Sequence, residues 1–190
     1  MKIGIFAYNF EHWKTQQGII NLCMAGYKPS IIFAADPVEL SFYKSKIRVS
    51  LKDQFLWHPS KIAEHYGIDY KVIVHNSQET ANAIKDYDLD IGIILGSRIL
   101  KPIAFEDAKI DRGLLIEKET ISVYEDDTLV DLHVRIQNLE QKIMISSIKK
   151  LENEGKENLL VLPEGNYYKS VTPDLEEILM QKFESYKKEK

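Results

Sequence analysis

Residues 89–113 read LDIGIILGSRILKPIAFEDAKIDRG, and the fold is decided there. An apolar run at 91–95 stops at Gly96-Ser97 and continues as Arg98-Ile99-Leu100-Lys101-Pro102. A short apolar run bounded by a Gly turn reads as a strand covered on both faces. Such a strand brings the chain to the carboxyl edge of an open α/β sheet, where these folds take ligands. Asp111-Arg112-Gly113 follows, ahead of a second apolar run at 114–116. A carboxylate arriving there gives an edge cleft a group that can handle protons.

Working outward toward the N-terminus, residues 3–8 form a buried first strand. The turn after it, 9–14, holds no glycine, so the three-glycine dinucleotide fingerprint is absent. This counts against a nicotinamide or flavin enzyme. A helical pattern over 15–25 carries Ile19, Ile20, Leu22 and Cys23 and stops at Gly26. Pro29 opens a second strand at 30–34, and Asp36-Pro37 closes it. A β-α-β start implies parallel strands. Pro59 begins a short helix to Tyr66, ended by Gly67. A third strand covers 70–74, and Ser77 caps a helix over 78–87 with Glu79 near its N-terminal dipole. The alternation predicts an α/β fold: a Rossmann-like, open, mostly parallel twisted sheet with helices on both faces.

Toward the C-terminus a strand is expected over 114–122. Asp126 or Asp127 then caps a long helix running to about Asn153, its apolar face marked by Leu129, Leu132, Ile136, Leu139 and Ile143. Gly155 ends it, 159–162 suits a small edge strand, and Pro173 starts a last helix that gives way to a solvated Lys-Lys-Glu-Lys end. The expected organisation is one Rossmann-like domain over 1–155 with a C-terminal extension over 156–190. Between the second strand and Pro59, residues 38–57 interleave Lys44, Lys46, Arg48 and Lys52 with Phe42, Tyr43, Phe55 and Trp57. That pattern suits a surface loop, and also a loop facing a phosphorylated ligand.

Composition narrows the function. The chain has 190 residues, 44% hydrophobic and 28% charged, as in an ordinary globular protein. A net charge of -4 argues against nucleic-acid binding as the main role. The single Cys23 cannot close an internal disulfide. No apolar stretch approaches membrane-spanning length, and a cytoplasmic location is expected. His12, His65, His75 and His133 are read as loop, helix or edge residues, none spaced as ligands of one metal, so no metal site is expected. His58-Pro59-Ser60 is read as a helix start.

Leu95-Gly96-Ser97-Arg98-Ile99-Leu100-Lys101-Pro102 resembles the segment after the fourth strand of the folate-dependent formyltransferases. In that superfamily an Arg-Ile-Leu-like run lines the folate pterin pocket. The resemblance therefore implies cofactor-binding roles for Gly96, Arg98, Ile99 and Leu100, with 10-formyltetrahydrofolate as formyl donor. Asp111 to Gly113 resembles the loop that carries the family's catalytic Asp, which assigns that role to Asp111. Tyr124 to Leu129, the long helix with Arg135 and Glu140, and the 168–177 tail also fit, so the resemblance covers most of the chain. One departure stands out. The family's Asn-x-His pair lies between the two landmarks, and here only residues 101–110 separate them, with neither Asn nor His.

The resemblance implies transfer of a formyl group to a primary amine. The best reading of the acceptor is a nucleotide-linked amino sugar, with phosphoribosylglycinamide as the alternative. The expected partner is thus a small-molecule amine, with no membrane and no nucleic acid, and a homodimer is left open. An alternative reading is a catalytically incomplete folate- or nucleotide-binding protein. The missing His favours the alternative, whereas the sheet's need for its central strands favours a transferase whose catalytic segment is absent from this sequence. A plain nucleotide-binding domain is disfavoured by the glycine-free first turn. Lys44 and Arg48 are expected to face the acceptor's phosphates.

Overall fold

The computed structural model describes residues 1–39, 55–97, 100, 114–156, 159–161 and 172–189. Among the described residues four parallel strands form the main sheet: β1 (Ile3–Tyr8), β2 (Ile31–Ala35), β3 (Asp69–Val72) and β4 (Ile91–Ile94), in the order β3-β2-β1-β4. Between them run α1 (Trp13–Met24), α2 (Pro59–Tyr66) and α3 (Gln78–Asp86). Beyond lie β5 (Leu114–Leu115), α4 (Leu129–Glu154), β6 (Leu160–Val161) and α5 (Pro173–Lys188). The α/β architecture expected from the alternating pattern is the one found, a parallel Rossmann-like sheet with helices on both faces.

Strand periodicity explains the two faces, because successive side chains point to opposite sides. Ile3, Ile5 and Ala7 of β1 and Ile32 of β2 pack with Ile19 and Leu22 of α1, Ile62 and Ala63 of α2, and Ile148 of α4. Phe6 of β1 and Ile31 and Phe33 of β2 face the other way, against Ala83 of α3, Ile73 and Leu100. Both strands are buried almost throughout, as a central parallel pair must be. Each of these fully buried large side chains contributes about 1.5–3 kcal/mol relative to exposure.

Element ends follow local chemistry. His58 caps α2, its Nδ1 accepting from the Ser60 amide at 3.3 Å with Pro59 next, as the His-Pro-Ser reading expected. Ser77 caps α3 through the Thr80 amide, also as expected. Two expectations need correction. The cap of α4 is Thr128, in a reciprocal box with Asp131, while Asp127 is taken up by Arg135. The strand expected over 114–122 pairs only at Leu114–Leu115, antiparallel to β6; the Glu117-Lys118-Glu119 that follows offers no apolar side to bury. β6 and α5 both lean on earlier elements, β6 through β5 and α5 through Lys187, whose Nζ donates to the Asp127 carbonyl at 2.9 Å. Among the described residues no helix is long and apolar enough to cross a membrane.

Candidate functional site

The strand order reverses at β1. The chain steps from β1 outward to β2 and β3, then returns through α3 to place β4 on the other side of β1. The carboxyl ends of β1 and β4 therefore part around a crevice, the place where open α/β sheets bind ligands. Two neighbouring segments line it: Tyr8 to His12, leading into α1, and Leu95 to Ser97, leaving β4.

Helix α1 is seated low enough to reach β4. Gly18 faces Leu95, and a Cβ on Gly18 would lie 2.6 Å from Leu95 Cδ1, so a larger residue would have to push the Leu95 side chain aside. Consequently the first turn of α1 touches the end of β4. Thr15, 1% exposed, donates its hydroxyl to the Leu95 carbonyl at 3.0 Å. His12, the residue ahead of α1, places Nδ1 3.1 Å from the same Thr15 oxygen. Because the one hydroxyl proton of Thr15 is directed at Leu95, Thr15 can only accept from His12. The His12 proton is thereby assigned to Nδ1, and the lone pair of the neutral ring sits on Nε2. Burial holds the His12 pKa below its ordinary 6.5; the Leu95 carbonyl opposes this and the charge of Lys14 adds to it. The ring is thus neutral at physiological pH.

Aromatic side chains wall this end of β1. Tyr8 and Phe10 stack with centroids 4.9 Å apart, and Tyr8 meets His12 edge-on at 5.5 Å. The Tyr8 hydroxyl donates to the Ser97 carbonyl at 3.2 Å, joining the two lips of the crevice. Gly96 lies between them with φ +156, in the region where side chains are rarely carried, and an added Cβ would come within 2.9 Å of the Tyr8 ring and 3.1 Å of His12 Nδ1. Glycine is therefore required at 96 for conformation and for space.

On the β2 side, Asn9 continues the edge. Its Nδ2 donates to Asp36 at 2.7 Å, and its Oδ1 accepts from the Tyr70 hydroxyl at 2.5 Å. Burial, with the charge of Asp36 adding, pushes the Tyr70 phenol up to about 12. Asp36, Val72 to Asn76 and Glu79 line an adjoining hollow of about 470 Å³ at the ends of β2 and β3. A wider groove of about 750 Å³ runs between α1 and α4, along the helices and away from this edge.

Of the residues singled out in the sequence, Gly96 stands in the crevice. Leu100 is buried and packs with Phe6, Phe33 and Ala83 on the α3 face of the sheet. Arg98, Ile99 and Asp111 lie outside the described residues, as do Lys44 and Arg48. Sequence reasoning gave no site role to Tyr8, Asn9, Phe10, His12 or Thr15. Their position was the available signal: an aromatic-rich turn after the first strand of a β-α-β start belongs to the ligand edge.

The fold is similar to that of phosphoribosylglycinamide formyltransferase from Bacillus halodurans, with a TM-score of 0.57 over 83% of this chain and 98% of that one. Sequence identity across the match is 15%, so the likeness is one of fold. No family model matches the chain, and no curated protein matches it in sequence.

Proposed function

We propose that this protein takes a formyl-bearing folate at the crevice between β1 and β4 and passes the formyl group to a primary amine. The carrying observation is Gly96, the second residue of the formyltransferase-like segment. It lies in the crevice itself, held open by a conformation and a clearance that no side chain allows. The Tyr8–Phe10 stack offers a flat apolar wall beside it, suited to a pterin ring. Likeness of fold to a formyltransferase supports the same reading. The folate supplies a formyl group on a nitrogen that can leave; the chain supplies binding, orientation and proton handling. In this reading Gly96, Arg98, Ile99 and Leu100 bind the folate and Asp111 relays the amine's proton through water. A nucleotide-linked amino sugar is the acceptor that best suits the chain, and phosphoribosylglycinamide is the second.

A second reading is favoured by one specific observation. Residues 101–110 contain neither Asn nor His, so the donors that would meet a developing oxyanion in the formyltransferase family are missing. Binding of folate without turnover follows from that absence.

The test is to incubate the protein with 10-formyltetrahydrofolate and each acceptor, following tetrahydrofolate release and the formylated product. Calorimetry with 5-formyltetrahydrofolate runs in parallel. Transfer above the uncatalysed rate supports the first reading, and folate binding without transfer supports the second. Neither binding nor transfer removes both.

A further inference from the structure

We propose that His12 is the proton acceptor of the crevice, its Nε2 taking the proton of the attacking amine. The inference rests on the formyl-transfer reading for its substrate and on the described geometry for everything else. Leu95 carbonyl, Thr15 hydroxyl and His12 Nδ1–H form a relay that fixes the tautomer, with donor–acceptor distances of 3.0 and 3.1 Å. Nδ1 is tied down by Thr15, which leaves Nε2 as the acceptor of the neutral ring. A base whose second nitrogen is oriented by a third group has the arrangement that general-base catalysis needs. The placement compensates for what the chain lacks, because 101–110 provide no imidazole and His12 offers one from the opposite lip.

The step balances without an external oxidant or reductant. The amine nitrogen bonds to the formyl carbon, and its N–H proton passes to His12 Nε2. As the bond between the formyl carbon and the folate nitrogen breaks, that proton moves from Nε2 to the departing nitrogen, and His12 returns to neutral. Tyr8 from β1 meets the His12 ring edge-on at 5.5 Å, and Lys14 from α1 acts on its charge. Lys14 is held by Glu140 of α4 at 2.8 Å. Burial, with the positive charge on Lys14 adding to it, disfavours a charge on His12 and keeps the base form available at neutral pH.

The experiment combines spectroscopy with kinetics on the full chain. Long-range ¹H–¹⁵N spectra of histidine-labelled protein, assigned through His12→Gln, should show the proton on Nδ1 and a titration below pH 6.5. Thr15→Val should remove the fixed tautomer while leaving the fold intact. In the transfer assay, His12→Gln should lower kcat by about 10²–10⁴-fold, with KM little changed and the acid limb of the pH profile gone. Wild-type transfer with His12→Gln retaining both kcat and the acid limb overturns the proposal, as does a proton found on Nε2. If the wild type transfers no formyl group, the formyl-transfer reading falls separately. His12 is then judged by diethyl pyrocarbonate. Acylation at Nε2 that rises through the same titration supports it, and an inert ring overturns it.

Discussion

Arg135 grips Asp127 through both carboxylate oxygens at 2.7 Å each, and the Tyr124 amide adds a third hydrogen bond at 2.8 Å. The guanidinium also lies 4.8 Å from the centre of the Tyr124 ring and donates to the Ser122 carbonyl. These hydrogen bonds, that of Arg135 first, pull the Asp127 carboxyl from 3.8 down to about 2. A depressed folded-state pKa means that the fold prefers the ionised group. The stability this confers is present above about pH 4 and is lost as pH falls toward 2. Asp127→Asn should therefore be less stable at neutral pH and show a flatter stability profile between pH 4 and 2. Acid titration followed by circular dichroism checks this; a profile that keeps the wild-type slope in that window would remove the explanation. Tyr70 is the alkaline counterpart: its phenol stays protonated in the fold beyond its ordinary 10, so its contribution is lost as pH rises from 10 toward about 12.

At the scale of elements, the capping box that starts α4 makes a quantitative prediction. Thr128 Oγ1 accepts from the Asp131 amide at 3.2 Å, and Asp131 Oδ2 accepts from the Thr128 amide at 2.8 Å. Thr128→Ala should cost about 1 kcal/mol, read as a lower urea midpoint with the m-value unchanged. The limits of sequence reading can be seen at this same boundary. Helix α4 was legible from its apolar spacing, and α2 and α3 from Pro59 and Ser77, because those signals are local. The choice of Thr128 over Asp127 was not legible, since Asp127 is claimed by Arg135, eight residues further on. The strand after Leu115 failed for a related reason: pairing depends on β6, which the run itself does not encode. In the crevice, Gly96 could be read from its turn. His12 could not, because its tautomer is set through Thr15 by a carbonyl 80 residues from Thr15.

Over the whole molecule, burial is graded from the sheet outward. β1 and β2 are sealed on both faces, whereas Leu160 and Val161 of β6 are 67% and 80% exposed, and Leu175, Ile178 and Leu179 of α5 are also open to solvent. Amides of β1 and β2 should thus exchange with deuterium only on global unfolding, and those of α5, β5 and β6 through local opening. Hydrogen exchange resolved by peptide tests this ordering. Equal protection of α5 and β1 would mean that the tail is part of the main cooperative unit.

The position of β1 between β2 and β4 also bears on how the chain is made. The backbone amide of Lys2, just ahead of β1, bonds to Asp90, 88 residues later. A ribosome adds on the order of 5–20 residues per second, so β1 leaves the exit tunnel roughly several seconds before its β4 neighbour has been translated. Until then β2, carried in by α1, is the only flanking strand that exists for it. The centre of the finished sheet is thus an edge during synthesis, and both lips of the crevice first coexist when the last of the four strands emerges.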